Sequence, residues 1–283
     1  MRDLAAVLAD RATELPEVKP YRELARDQQE HAAAGGYRDA LARKRSNLAG
    51  MPALALPFDH ARPALLGIRR GMVVRSFGAD TARELAQLAE RLAIPAMTLR
   101  LTAVLLLLRD ESGQADVSIG LSDERNRTAA YEHTMGLVHD VDALRVVLPA
   151  RLTGGEAIAQ VDAAIAEAER DAVPAHLLIE ALGQPLDPSR GPLAQTFFGV
   201  LPDRKATSMV GTIVLEPERV VRTPFADLAF IASDSADERF AIIYNEDVFE
   251  RSTIERMHAN LGRYIATICV HTARMWPNLS PRP

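Results

Sequence analysis

The strongest constraint on the fold is the most apolar run of the chain, Leu101–Leu108, which predicts a helix from about Met97 to Arg109. A helix without a polar face has to be covered on all sides by other elements of the chain. The run is much shorter than the roughly 20 apolar residues that span a bilayer, and Arg100 and Arg109 bracket it. We therefore predict the buried helix of a layered fold and no membrane span.

The remaining patterns surround this helix with helices and strands. Apolar residues three and four positions apart predict helices over Leu4–Leu15 and about Pro20–Leu48, the second of them broken or kinked at Gly35-Gly36. Strands are predicted at 71–77, 118–121, 142–148, 196–201, 212–221, 227–233 and 240–244, and further helices at 80–92, 155–170, 174–182 and 252–270. The order predicts an α/β fold with one mixed sheet of about five to six strands flanked by helices. We divide it into an amino-terminal helical extension, residues 1–49, and a main domain, residues 50–283.

Charge and cysteine content exclude several function classes. The chain has 33 Lys+Arg and 38 Asp+Glu among 283 residues, a net charge of −5, which argues against a nucleic-acid or anionic-membrane binder. Its basic run Arg43-Lys44-Arg45 is expected on a solvated helix face. A single cysteine, Cys269, excludes an internal disulfide and a cysteine-based zinc site. The amino terminus lacks the apolar stretch of a signal peptide, so we expect a cytoplasmic protein.

Six segments follow one another in the order of the motifs of a known family: 21–25, 56–64, 112–127, 135–140, 187–195 and 244–249. They are similar to Y-x-D-F-A, L-P-x-D-x-x-R-P, S-G-Q-x-D-x-x-I-G with R-N-R, I-G-x-F-V-N, R-D-x-S-R-N-P-L-x-Q and Y-N-x-D-L-F. The chain thus resembles the carboxy-terminal lobe of the condensation domains of nonribosomal peptide synthetases. That family has the chloramphenicol acetyltransferase-like fold, so the resemblance implies a single lobe of that type.

The family's catalytic motif, H-H-x-x-x-D-G, has no match. The sequence has seven histidines, and no two of them are adjacent. In the family this motif lies in the amino-terminal lobe, shortly before the helix that residues 2–15 match. The resemblance therefore implies a chain that begins just after the motif and is inactive in the usual amide-forming reaction when it is alone.

His139 and Asp140 are the weak catalytic candidates of the chain. The resemblance places them at the floor of a substrate tunnel, near the acceptor amine, and adds Ser122 as a tunnel or substrate-binding residue. Asp140 stands where the family has asparagine, and His139 where it has an apolar residue. In an extended segment the two side chains point to opposite faces and cannot chelate one ion side by side, so no metal site is expected.

Asp187, Ser189 and Arg190 form the second candidate cluster. Ser189 beside a cation could be read as a nucleophile, but it lacks a G-x-S-x-G context and a histidine in its local sequence. The resemblance implies an architectural role, in which Asp187 and Arg190 tie a loop to the sheet.

Three hypotheses about function follow. The first is a truncated, partner-dependent condensation-like protein of nonribosomal peptide biosynthesis, which binds a carrier protein, a synthetase module or a tailoring enzyme. It needs no cofactor of its own, although a partner carrier protein can bring phosphopantetheine. The second is an acyl-transfer or condensation enzyme completed by a separately encoded amino-terminal lobe, or by homo-oligomerisation that uses His139. Both predict a homo- or hetero-oligomer. The third is a fragment of a longer gene product.

Overall fold

The structure is a computed structural model that describes residues 6–7, 18–123, 130–183, 187–202, 208–210, 213–215, 226–234 and 236–270. Its helices are α1 Tyr21–Ala33, α2 Arg38–Leu48, α3 Ala79–Leu92, α4 Ala96–Ser112, α5 Gly154–Arg170, α6 Ala175–Leu182 and α7 Arg251–Val270. Its strands are β1 Arg70–Ser76, β2 Asp116–Asp123, β3 Asp140–Val147, β4 Thr196–Pro202, β5 Ser208–Val210, β6 Ile213–Leu215, β7 Leu228–Asp234 and β8 Arg239–Asn245.

Six strands form one mixed sheet in the order β1-β8-β7-β4-β2-β3. Strands β2, β4 and β7 run parallel to one another, whereas the pairs β1–β8, β7–β8 and β2–β3 are antiparallel. Strands β5 and β6 form a separate pair. The strand predicted at 212–221 is described only at residues 213–215, which are β6; residues 212 and 216–221 lie outside the described part. The predicted mixed sheet flanked by helices is confirmed. Most of the helix predicted at 4–15 lies outside the described residues.

Helix α4 is the centre of the core, as its sequence predicts. All its residues from Thr98 to Arg109 are buried, and the helix contacts α3, α5, α7 and β2. It ends at Ser112 because Gly113 takes a left-handed conformation, with φ +68°, that glycine adopts without steric cost. The burial of apolar side chains on every side of α4 fixes the layers of the fold around it.

Among the described residues, no single helix has the length and the apolar composition needed to cross a membrane. The helices α3 and α4 reach that length and composition only when taken together, and the chain bends by 110° between them.

Arg100 is a charged side chain inside this core. Its Nε and one terminal nitrogen donate to the two carboxylate oxygens of Glu238, at 2.8 and 2.7 Å. Both residues are buried. Glu238 lies just before β8 and has φ +44°, which is uncommon for a residue with a side chain. The ion pair therefore fastens the connection between β7 and β8 to the central helix.

Helices α1 and α2 are separated at Gly35-Gly36, as predicted, and α2 packs on α6. In its basic run Arg43 and Arg45 are exposed, as the sequence predicts, whereas Lys44 is not. Lys44 is buried and donates to both carboxylate oxygens of Asp142 on β3, at 2.5 and 2.6 Å. Arg43 pairs with Asp171, which follows α5. Lys44 thus holds α2 against the sheet and Arg43 holds it against the end of α5, and the division at residue 50 stays a prediction.

His258 on α7 gives a testable pH dependence of stability. Its ring is fully buried and its Nε2 lies 2.9 Å from the carbonyl oxygen of Phe240, a distance at which the neutral ring donates. Burial lowers the pKa of His258 below its ordinary value of 6.5. The unfolded chain therefore takes up a proton before the folded chain does, and the stability present above pH 6.5 should decrease as the pH falls below it. Urea unfolding at several pH values measures this loss, and it should be smaller in His258→Gln.

Candidate functional site

A pocket lies toward the carboxyl ends of the parallel strands β2 and β4. It has a volume of about 480 Å³. Its wall is formed by Met97, Leu121, Ser122, Asp142, Ile165, Ala168, Glu169, Phe198, Gly199 and Val200. The sheet supplies one side and the helices α4 and α5 the other. Because the lining is mostly apolar with a few polar groups, the pocket is of the kind that binds a small organic group.

Ser122 is the one predicted site residue that lines this pocket. It is exposed, and it lies opposite Val141 in the register of β2 and β3. Its Cβ would be 3.8 Å from a Cβ added to Gly199 on β4. The hydroxyl group is therefore carried on a rigid strand, next to a position where the neighbouring strand has no side chain to obstruct it.

Asp142 supplies a carboxylate to the same wall. It is buried, and the ammonium group of Lys44 from α2 neutralises it. A buried carboxylate without such a partner would be strongly unfavourable. The charge of Asp142 in the pocket wall is thus neutralised by a residue of the amino-terminal helices, a partner that sequence reasoning missed.

His139 and Asp140 do not line the pocket. His139 is exposed and lies just before β3. Asp140 begins that strand, and its two carboxylate oxygens accept from the backbone N–H groups of Val141, at 2.8 Å, and Ala175, at 3.0 Å. Since Ala175 is the first residue of α6, Asp140 caps that helix from another element of the fold. The functional role predicted for the pair stays a prediction.

The hydrogen bond from the N–H of Ala175 gives a test of the helix-capping role of Asp140. Asp140→Ala should lower the free energy of unfolding by roughly 1 kcal/mol, the ordinary effect of removing a helix-capping acceptor. Asp140→Asn keeps one acceptor oxygen, so its free energy of unfolding should decrease less. Thermal and urea unfolding measure both changes. Equal stability of all three proteins would contradict the capping role.

The segment 130–139, which leads to His139, is held by α1. The hydroxyl of Tyr131 donates to Asp27 at 2.5 Å, which raises the pKa of Tyr131 to about 12. Thr134 donates to the carbonyl oxygen of Lys19. Leu24 of α1 packs with Tyr131 and Val138 in a small buried cluster. The same segment exposes the large apolar side chains of Met135 and Leu137. A fixed segment therefore presents an apolar surface to solvent.

Asp187 and Ser189 form a closed turn. One oxygen of Asp187 accepts from the backbone N–H of Ser189 at 2.8 Å and from its hydroxyl at 2.6 Å. These two hydrogen bonds hold the pKa of Asp187 below its ordinary value. Arg190 pairs with the other carboxylate oxygen at 3.2 Å. The Ser189 hydroxyl thus already donates to a carboxylate within its own turn.

The described residues include no group of three or more His, Cys, Asp or Glu side chains that could hold a metal ion. The carboxylate of Asp142 pairs with Lys44, and that of Asp140 accepts from two backbone N–H groups.

Comparison with known proteins decides the family. The family model of the condensation domain matches residues 1–279. The chain belongs to the condensation domain family. Its sheet and helices are those of the chloramphenicol acetyltransferase-like structures of that family, and the predicted fold class is confirmed.

Similar proteins come from nonribosomal peptide synthesis. The condensation-domain chain is 28% identical over 210 residues to tyrocidine synthase 3 of Brevibacillus parabrevis, across 73% of this chain and 3% of the synthase. It resembles the X-domain from teicoplanin biosynthesis with a TM-score of 0.83 and 27% identity, over 97% of this chain and 66% of that one. A second structure, a complex of the X-domain and OxyB, gives a TM-score of 0.83 and 26% identity, over 97% and 64%. The chain thus spans a few per cent of the synthase and about two thirds of the X-domain.

In this condensation domain three of the six family-like segments, 56–64, 187–195 and 244–249, meet at one place. The guanidinium of Arg62 pairs with both oxygens of Asp227, just before β7, and donates to the carbonyl oxygen of Ser189 at 2.8 Å. It also lies 4.8 Å from the centre of the Phe58 ring. Asp59 accepts from the N–H of Glu250, the residue before α7. These contacts bring the segment 56–64, the 187–190 turn and the start of α7 close together in space.

Proposed function

We propose that this condensation-domain chain acts in nonribosomal peptide biosynthesis, in the cytoplasm, by binding another protein of the pathway. The bound protein would be a carrier protein, a synthetase module or a tailoring enzyme. In this proposal the chain corresponds to the carboxy-terminal lobe of the family and does not form amide bonds through a histidine pair.

One observation carries the proposal: the likeness to the X-domain over 97% of this chain, because that domain has been solved in complex with a second protein, OxyB. The sequence also has no adjacent histidines, so the catalytic motif of the family is not present in these 283 residues. Relatives such as tyrocidine synthase 3 support the pathway.

The exposed apolar side chains of the segment 130–139 are the contact surface that we test. Met135 and Leu137 protrude from a segment that Tyr131 and Thr134 hold in place. Apolar side chains on a fixed backbone lose little conformational freedom when a partner covers them, which favours binding.

The test measures binding of the full chain to the carrier protein, the neighbouring synthetase module and the tailoring enzymes encoded with it. The double variant Met135→Glu/Leu137→Glu should weaken the Kd for the true partner by about tenfold or more, since it places charge in an apolar contact. Val147→Glu, at an exposed valine of β3, is the matched control and should leave the Kd unchanged. If none of these proteins binds, or if the double variant binds as tightly as the unmodified chain, the proposal fails.

The pocket favours a second candidate, an acyl-transfer or condensation enzyme whose site is completed by a separately encoded amino-terminal lobe or by another copy of this chain. Ser122 at the wall of a mostly apolar pocket of about 480 Å³ is a suitable place for an acyl or aminoacyl group. Turnover of an acyl group loaded on a carrier protein, with an amine acceptor, tests this candidate. In the version that uses His139 of another copy of this chain, His139→Ala should lose activity, whereas His60→Ala, an exposed histidine on another segment, should not. Unchanged turnover in His139→Ala excludes the version that relies on His139.

A further inference from the structure

A second pocket, with a volume of about 200 Å³, shares no wall residue with the pocket that Ser122 lines. Its wall is formed by the segment 51–53, by Ser118 of β2, by helix α6 and by residues of the segment 187–195. Drug-sized ligands usually occupy pockets of about 300–1,000 Å³. This pocket therefore has room for a small organic group.

One part of this wall is apolar and well packed. It includes the side chains of Met51, Ile179, Leu182 and Leu193. All four belong to, or pack against, the hydrophobic cluster between α2, α6 and β3. Because the cluster supports these side chains from behind, they offer a fixed surface to the apolar body of a ligand.

The other part of the wall contains hydrogen-bond donors without acceptors. Gln195 is buried, and its Oε1 accepts from the N–H of Leu54 at 2.9 Å, which identifies the other amide atom as the nitrogen Nε2. Neither this Nε2 nor the Nε of Arg190 has a hydrogen-bond partner within the described residues. Buried donors nearly always have an acceptor. Two such donors beside one pocket indicate that a bound molecule supplies the acceptor.

The acidic side chain of this wall, Asp187, does not meet that need. One of its oxygens already accepts from the N–H and the hydroxyl of Ser189. The other lies 3.2 Å from the Nε of Arg190, without the alignment of a hydrogen bond. The polar wall thus has more donors than acceptors. A carboxylate suits it best, because hydrogen bonds to an ionised acceptor are about twice as strong as neutral ones.

The segments that carry these groups are held in place by the rest of the fold. The side chain of Gln114 accepts from the N–H of Ala55 and donates to the carbonyl oxygen of Ala53, which fixes the segment 51–53. Arg62 donates to the carbonyl oxygen of Ser189, which fixes the turn before Arg190. A site whose parts are already in position loses little conformational entropy when its ligand binds.

We propose that this pocket binds a small organic carboxylate. The apolar body of the ligand lies against Met51, Ile179 and Leu182, and its carboxylate lies beside the guanidinium of Arg190 and the amide of Gln195. The proposal goes beyond the proposed function and does not depend on it. The segment 130–139 and the pocket that Ser122 lines contribute no residue to this site, so either proposal can fail without the other.

The test is a titration of the ¹⁵N-labelled full chain with 4-methylpentanoate, followed by nuclear magnetic resonance. For a ligand of this size we expect a Kd on the order of 1 mM. The side-chain N–H signals of Gln195 and Arg190 should shift during the titration. The same titration with 4-methylpentanamide, which has the same carbon skeleton and no charge, should give a Kd at least about tenfold higher.

Two variants locate the site. Arg190→Gln removes the charge and should raise the Kd for 4-methylpentanoate by about tenfold or more. Gln195→Glu keeps the oxygen that accepts from Leu54 and replaces the donor by a carboxylate oxygen, so it should bind the probe more weakly still. Arg239→Gln is the matched control, because Arg239 also pairs with an aspartate close in sequence, Asp237, and does not line the pocket.

Circular dichroism melts separate lost binding from lost folding. If the buried carboxylate of Gln195→Glu prevents folding, Arg190→Gln still decides, because the side chain of Arg190 is 37% exposed. The absence of any shift up to about 20 mM 4-methylpentanoate overturns the proposal. So does equal binding of the amide, a Kd that Arg190→Gln leaves unchanged, or a titration that does not move the signals of Gln195 and Arg190.

Discussion

Arg100→Met should lower the free energy of unfolding by about 3–5 kcal/mol, because it leaves the carboxylate of Glu238 buried without its partner. Glu238 has no solvent exposure, and both its oxygens are engaged by Arg100. The substitution keeps the length and much of the volume of the side chain. The loss therefore reports the uncompensated charge and not a cavity in the core.

Urea unfolding, monitored by circular dichroism, measures this loss. Arg83→Met is the matched control, because Arg83 pairs with Asp80 on the exposed face of α3, and it should change the stability much less. Adding Glu238→Gln to Arg100→Met removes the buried charge and should restore part of the stability. A loss as small as that of Arg83→Met would show that the pair does not support the core.

Arg62→Met should also lower the free energy of unfolding, by about 3 kcal/mol. The reason is that Asp227 is also buried and loses both hydrogen bonds from Arg62. Arg62→Lys should recover less than half of it, because an ammonium group cannot reproduce the two parallel bonds of a guanidinium. The same change also removes the donor to the carbonyl oxygen of Ser189, so the 187–190 turn should become more sensitive to proteolysis.

Unfolding in urea and limited proteolysis with mass spectrometry check these two effects of Arg62→Met. Arg69→Met is the control, as Arg69 pairs with Asp247 at an exposed position and should matter far less. If Arg62→Met and Arg69→Met are equally stable, and the turn is cut at the same rate in both, Arg62 does not join these segments.

The elements of the fold could be predicted from local patterns. The apolar run around Leu105 predicted a buried helix, and alternating residues predicted the strands of the six-stranded sheet. This works because the apolar residues of a buried face recur in the sequence at the period of the helix or strand. The burial of Lys44 could not be predicted in this way. Its partner Asp142 is 98 positions away, and a basic run on a helix is usually solvated.

The candidate site could be predicted in part. Ser122 was placed near a substrate site by resemblance, and it lines the pocket between the sheet and helices α4 and α5. The hydrogen bonds of Asp140 could not be predicted from the sequence, because the helix that it caps begins 35 residues later. The contact of Asp59 with the residue before α7 had the same difficulty, because Asp59 and Glu250 are 191 positions apart in the sequence. Side-chain partners of this kind depend on tertiary structure, which local patterns do not record.

The ion pair of Lys44 and Asp142 has a consequence for where the chain can be shortened. A protein cut at residue 50 would keep every strand of the main sheet, yet it would lose the ammonium group of Lys44, which donates to both carboxylate oxygens of Asp142. The buried carboxylate of Asp142 would then lose this ion pair, and the shortened protein should be less stable than the full chain. In electrostatic terms, the amino-terminal helices and the pocket are a single unit.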